Sequence, residues 1–295
     1  MRPLLFDLGA HPGLSVRLQD LLGAERGALE LRRFPDGESY LRLDTSPQGR
    51  AVILLCPLDR PDECTLPMLF AAATCRELGA TCVGLAAPYL AYMRQDIRFR
   101  PGEAVTSRTY AGMLSGALDW LVTVDPHLHR YQSLDEIYRI PSRSVAAAPA
   151  LAEWLRAEVA CPVLIGPDAE SAQWVAEVAA RIDAPWRVLE KTRSGDREVA
   201  VSVPDLDAHA GCTPVLLDDI VSTGGTMAAA LAHLREQGFA SPVCLLVHAI
   251  FAAEAEAMLR AAGATRIVSC NTVVHSSNSV CVAEVMADGI RGCLD

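Results

Sequence analysis

The chain has 295 residues, 51% hydrophobic and 21% charged, with a formal net charge of −10. That is length enough for two ordinary domains with a substantial core, and the acidic balance excludes a general nucleic-acid binder, which needs a basic face against phosphates. The apolar runs fall short of the roughly 18 residues of a membrane span, and Met1-Arg2-Pro3-Leu4-Leu5-Phe6-Asp7 carries charge where a signal peptide would be apolar, so no membrane partner is expected.

In chain order, hydrophobic periodicity and turn signals predict a helix over Gly13–Leu22, a strand over Ala51–Cys56, a helix over Leu66–Leu78 and a strand over Thr81–Ala86. A helix over Ser107–Leu114 and a strand over Trp120–Val124 follow. A second series then begins: helix Ala150–Val159, strand Val163–Ile165, helix Ala172–Ile182, and strands Arg187–Leu189, Val199–Val203 and Val215–Leu217. It ends with helix Thr226–Gln237, strand Val243–His248, helix Ala253–Ala262 and strand Arg266–Cys270. Gly79, Gly238 and Gly263 stand where helix C-caps belong.

The strand runs are apolar throughout instead of alternating, the pattern of strands buried on both faces. Strand–helix–strand order then implies an α/β fold with mainly parallel sheets and right-handed crossovers. The polar stretch Arg139–Arg143 separates the two series, so two similar domains are expected, 1–145 and 146–295, with the end of the chain packing back on the first. Ten cysteines occur, none in a Cys-x-x-Cys pair, and Cys56, Cys82, Cys244 and Cys270 lie inside apolar runs. Reduced core thiols of a cytoplasmic protein are the expected reading.

In such sheets ligands bind beyond the carboxyl ends of the strands. Val215-Leu216-Leu217 runs into two carboxylates, Asp218 and Asp219, then Ser222-Thr223-Gly224-Gly225-Thr226 opens a helix. The glycine pair lets backbone N–H groups approach an anion, the helix N-terminus adds partial positive charge, and the carboxylates accept sugar hydroxyls or hold metal-bound water. A plain strand–turn–helix junction would account for Thr-Gly-Gly-Thr, but not for the paired acids.

This segment resembles the phosphoribosyl-diphosphate loop shared by type I phosphoribosyltransferases and ribose-phosphate pyrophosphokinases, which implies that Asp218, Asp219, Ser222, Thr223, Gly224, Gly225 and Thr226 bind ribose 5-phosphate. Four further segments resemble the pyrophosphokinases alone. Arg33-Phe34-Pro35-Asp36-Gly37-Glu38 matches an acidic turn beside the adenine of ATP. Tyr89-Leu90-Ala91-Tyr92-Met93-Arg94-Gln95-Asp96 matches the family's Tyr-x-x-Tyr-x-Arg-Gln-Asp run. The resemblance makes Asp36, Gly37, Glu38, Arg94, Gln95 and Asp96 the ATP side. Asp125-Pro126-His127 matches Asp-x-His, and Asp168 closes Ile165-Gly166-Pro167-Asp168, so Asp125, His127 and Asp168 are the implied Mg²⁺ residues. His129 is an extra histidine; His-x-His alone would suggest zinc, yet no thiolate or third histidine accompanies it in sequence.

Leu189-Glu190-Lys191-Thr192-Arg193-Ser194-Gly195-Asp196-Arg197 is the most basic stretch of the second half. It resembles the family's Lys-Arg-Arg flap, with Lys191 and Arg193 as the implied catalytic pair, Arg193 also facing ribose 5-phosphate, and Thr192 in place of the middle arginine. The family fold implied is two phosphoribosyltransferase-type (type I) domains, each a mainly parallel sheet flanked by helices, in a homo-oligomer. The activity implied is transfer of the β,γ-diphosphoryl group of ATP to ribose 5-phosphate with Mg²⁺; a phosphoribosyltransferase and a non-catalytic regulatory relative are the alternatives. Departures from the family pattern are Ala169-Glu170-Ser171 in place of a glycine pair, Ser222 in place of aspartate, and Cys56-Pro57 in place of a polar pair.

Overall fold

The computed structural model describes residues 1–167, 171–194, 198–202, 209, 211–221, 223–239 and 241–294, and for 190–194 and 198–202 the backbone. The chain divides into two compact units, Met1–Ala146 with Thr272–Val274 and Cys281–Asp295, and Ala147–Asn271 with His275–Val280. In chain order the first carries β1 (Leu4–Asp7), α1 (Pro12–Leu22), β2 (Glu25–Gly27), β3 (Leu29–Arg33), β4 (Ser39–Leu43), β5 (Ala51–Leu55), α2 (Pro61–Glu77), β6 (Cys82–Ala87), α3 (Thr106–Ala117), β7 (Trp120–Val124) and β8 (Ser142–Val145). The second carries α4 (Ala148–Glu158), β9 (Pro162–Gly166), α5 (Ala172–Ile182), β10 (Trp186–Val188), β11 (Glu190–Ser194), β12 (Glu198–Ser202), β13 (Thr213–Ile220), α6 (Gly225–Glu236), β14 (Val243–His248), α7 (Ala255–Ala262), β15 (Arg266–Cys270) and β16 (Asn278–Val280). The last helix, α8 (Ala283–Leu294), belongs to the first unit.

Each unit is built on a six-stranded parallel sheet, ordered β2-β1-β5-β6-β7-β8 in the first and β10-β9-β13-β14-β15-β16 in the second. The two orders are the same pattern. In both, an antiparallel hairpin (β3–β4, β11–β12) leaves the edge strand before the chain returns to the sheet centre. The α/β reading with two similar domains of parallel sheet therefore stands. The strands read as continuous apolar runs because both faces are covered: Val52, Ile53, Leu54 and Leu55 are fully buried, as are Leu245, Leu246 and Val247. Burying each such side chain contributes about 1.5–3 kcal/mol, which offsets the entropy of ordering the strand.

One helix differs in origin between the units. In the second unit α4, which precedes the first strand, packs on α5; in the first unit α8, from the end of the chain, packs on α1 in the matching place. Glycines permit it. A Cβ at Gly289 would lie 2.8 Å from Val145 Cγ1 and 2.9 Å from Val122 Cγ1, so the helix reaches the sheet only because that position has no side chain.

The boundaries that matter for function shift in two places. The strand predicted over Val215–Leu217 continues to Ile220, because Asp218 and Ile220 remain in register with Leu246 and His248 of β14. The helix predicted to start at Leu66 starts at Pro61, where a first-turn proline has no intrahelical bond to lose and Asp62 and Glu63 face the positive helix end. The expectation of uniformly reduced cysteines needs correction as well: Cys161 and Cys212 form a disulfide. They directly precede β9 and β13, which pair in parallel with Thr213 opposite Pro162, so the register brings the two Cα atoms to 4.8 Å. The buried thiols Cys75 and Cys244 fit the expectation, burial pushing both up to about 12.

Candidate functional site

The most informative junction is β13 to α6. Four buried residues, Pro214–Leu217, carry the strand through the sheet centre, and it emerges with Asp218 and Asp219 half-buried at its carboxyl end. The Asp219 backbone N–H donates to Asp218 Oδ1 at 3.0 Å, and that of Ile220 to Asp219 Oδ1 at 2.7 Å, so both carboxylates are oriented by their own strand end. Gly224 takes φ 77°, a left-handed conformation that favours glycine, and its carbonyl accepts the first helical bond from Ala228 at 2.8 Å. The helix then opens at Gly225, so the leading amides point out of its N-terminus. Thr223 and Gly225 are exposed and Thr226 half-buried. Asp218, Asp219, Thr223, Gly224, Gly225 and Thr226 thus share one strand end and one helix start; Ser222 lies outside the described residues.

Lys191 and Arg193 lie on β11, with Val201 and Val199 of β12 as their register partners. Gly195–Arg197 and the predicted metal residue Asp168 lie outside the described residues. Asp168 follows the end of β9, where a Cβ on Gly166 would stand 2.5 Å from Ser171 Oγ; only glycine lets the strand end approach the start of α5 this closely.

In the first unit, Asp36, Gly37 and Glu38 form the turn of the β3–β4 hairpin. Phe34 donates its N–H to Glu38 O at 2.8 Å, Glu38 donates to Asp36 Oδ1 at 3.2 Å, and Gly37 takes φ 95°. The Arg32 guanidinium sits over Tyr40, 4.0 Å from the ring centroid, and Phe34 meets Tyr40 edge-on, so an aromatic and cationic surface borders the turn. Arg33 ties the turn to α2. It donates to Gly37 O at 3.0 Å and to Glu63 O at 3.2 Å. Glu63 O is open to it because Pro67, four residues on inside the helix, has no N–H to give.

The Arg94-Gln95-Asp96 run and the Asp125–His129 loop are joined by a side chain that sequence reading passed over. Arg130 Nη1 donates to Asp96 Oδ1 and Oδ2 at 2.8 and 3.0 Å, and Tyr131 OH donates to Asp96 O at 3.2 Å. Asp96 is 3% exposed, whereas Arg94 is exposed and Gln95 half-buried. A sequence signal existed in hindsight: an arginine and a tyrosine directly after the histidine pair. Asp125 and His127 both hold positive φ, 33° and 49°, and their loop is tightened by His127 N–H to Asp125 O at 2.8 Å. For non-glycine residues this backbone is strained, a condition that accumulates at functional sites. His129 Nε2 lies 3.2 Å from His127 Nδ1. Removing Arg130 takes the charged donor from a buried carboxylate, and because the guanidinium itself is half exposed, Arg130→Ala is expected to lower unfolding free energy by about 1–2 kcal/mol, read by urea denaturation. An unchanged midpoint would mean that Asp96 does not depend on this pair.

Known proteins resemble the chain across both units. The N-terminal domain of ribose phosphate pyrophosphokinase matches residues 4–117, and the phosphoribosyl transferase domain matches residues 133–284. The ribose-phosphate pyrophosphokinase of Methanopyrus kandleri is 36% identical over 280 residues, covering 94% of this chain and 95% of that one. That of Methanothermobacter thermautotrophicus is 32% identical over 289 residues, covering 98% and 100%. The crystal structure of phosphoribosylpyrophosphate synthetase from Mycobacterium smegmatis superposes with a TM-score of 0.82 at 25% identity, covering 98% of each chain. Agreement of this extent over both units places the chain in the ribose-phosphate pyrophosphokinase family.

Proposed function

We propose that the protein is an active ribose-phosphate pyrophosphokinase, transferring the β,γ-diphosphoryl group of ATP to the 1-hydroxyl of ribose 5-phosphate. The observation that carries this is the β13–α6 junction, with two oriented carboxylates at a strand end directly before a helix N-terminus, in a chain of this family. The 5-phosphate binds the leading amides of α6 with Ser222, Thr223, Gly224, Gly225 and Thr226, where the helix end favours an anion. Asp218 and Asp219 accept the ribose hydroxyls. The anomeric oxygen attacks the β-phosphorus in line, the bond from that phosphorus to the α,β-bridging oxygen breaks, and AMP leaves. Such transfer depends on position and charge neutralisation more than on covalent catalysis; Lys191 and Arg193 supply cations to the transferring group.

On the nucleotide side, Asp36, Gly37 and Glu38 meet the base, while Arg94 and Gln95 meet phosphate and nucleotide. Asp96, held by Arg130, serves to position them. Mg²⁺ fits the donor chemistry of Asp125, which offers the oxygen ligands it prefers; His127 would bind through water, and Asp168 would add a second carboxylate. The ion's contribution is to neutralise phosphate charge. A homo-oligomer in the cytoplasm belongs to the same proposal, read by sedimentation velocity and cell fractionation. Among the described residues no helix is long and apolar enough to cross a membrane.

One assay tests the reading. Incubated with ATP, Mg²⁺ and ribose 5-phosphate, the protein is expected to form AMP only when the sugar is present. Absence of ribose-dependent AMP would exclude an active pyrophosphokinase and favour a regulatory relative.

A further inference from the structure

Cys56 and Cys64 occupy a place that the proposed reaction does not use. Cys56 follows β5 and is fully buried; Cys64 lies in the first turns of α2 and is half-buried. The two sulfurs share one acceptor, the Pro57 carbonyl oxygen, each 3.8 Å from it. Cys64 also lines an open cavity of about 410 Å³ together with Arg33, Ser39, Pro57, Asp59 and Arg60. One sulfur is therefore reachable from solvent, and the other waits behind it. The neighbouring Cys56 thiol draws the Cys64 thiol below its ordinary range, while the Cys64 thiol and burial push Cys56 well up. This is the division of roles that stepwise thiol–disulfide exchange uses, with one attacking sulfur and one resolving sulfur.

The cavity connects the pair to the ATP-side turn. Arg33, which lines it, donates to Glu63 O, the residue before Cys64, and to Gly37 O in the turn. One guanidinium therefore bonds both the first turns of α2 and the Asp36–Glu38 turn.

We propose that Cys56 and Cys64 form a thiol–disulfide site that takes low-molecular-weight disulfides from the cavity, and that closing the Cys56–Cys64 bond alters the Asp36–Glu38 turn. The Cys64 thiolate attacks one sulfur of the small disulfide, forming a mixed disulfide and releasing one thiolate. Cys56 then gives up its proton and attacks Cys64 Sγ, releasing the second. In balance, one small disulfide is reduced to two thiols and two protein thiols are oxidised to one disulfide. The coupling to ATP rests on the proposed nucleotide role of the turn; the exchange itself does not.

The probe is glutathione disulfide applied to the full chain, followed by alkylation, digestion and mass spectrometry, with AMP formation measured in parallel. The expected product is a Cys56–Cys64 linked peptide and a several-fold change in KM for ATP, with KM for ribose 5-phosphate little altered; dithiothreitol reverses both. Cys56→Ser is expected to stop at a stable glutathione adduct on Cys64, and Cys64→Ser to form neither product, while each variant keeps Cys161–Cys212. Recovery of Cys56 and Cys64 as separately alkylated thiols under oxidising conditions would overturn the site. A linked peptide with unaltered ATP dependence would overturn the coupling. A reduced protein that makes no AMP would instead count against the pyrophosphokinase reading, since the linked peptide is detected without activity.

Discussion

Lys191→Ala is expected to lower kcat for ribose-dependent AMP formation by about a thousandfold, the scale on which loss of one preorganised charge partner in the transition state is felt. The residue lies in the β11–β12 hairpin, a two-stranded sheet separate from the six-stranded sheet of its unit. No ladder of the core passes through it, so the melting temperature is expected to stay close to that of the wild type, as for substitutions outside the core. Steady-state rates at saturating ATP and ribose 5-phosphate, beside a thermal melt, separate the two effects. Turnover within a few-fold of wild type would remove Lys191 from the proposed mechanism. A parallel loss of stability would mean instead that the hairpin supports the fold.

Gly84→Ala should act in the opposite way, on stability before chemistry. Gly84 lies in the middle of β6 and is paired with Trp120 of β7. A Cβ there would sit 1.8 Å from Trp120 Cε2 and 2.1 Å from Cδ2, inside the ring of a residue that is only 2% exposed. The indole cannot swing into solvent, so strands must part or the ring must leave its rotamer, at a cost of about 3 kcal/mol. Urea denaturation reads it. Gly116 is the control: it is exposed in α3 and a Cβ there meets nothing within 4 Å. Gly116→Ala is expected to be neutral or to stabilise by up to about 1 kcal/mol through helix propensity. Equal behaviour of the two variants would show that the Trp120 contact is not the cause.

The parts of the site legible in sequence were those written in consecutive residues. Asp218, Asp219 and Thr223–Thr226 declare a strand end, a glycine turn and a helix start within one short segment, and the structure places them on one junction. Asp36–Glu38 reads as a turn and forms one. Arg130 escaped notice because its partner, Asp96, lies 34 residues earlier, and neighbouring residues in the chain do not show which carboxylate an arginine will meet. Short or exposed strands escaped for a related reason. β1 is a short run of Leu4–Asp7 at the start of the chain with no turn signal before it, and β3–β4 has little buried face to mark it.

The sequence by itself determined the alternation of elements, the buried character of the central strands and the order of motifs that marks the family, because these depend on the type and spacing of neighbours in the chain. Tertiary structure alone decided the rest. Gly289 and Gly292 are where α8 approaches the sheet and Arg143, a closeness that no feature of the local sequence announces. Cys161 and Cys212 become partners only when β9 and β13 pair in register. Cys56 and Cys64 share the Pro57 carbonyl only when α2 sets Cys64 beside the end of β5. In each case the deciding contact joins segments apart in the chain, and a contact of that kind exists only once the sheet has fixed their register.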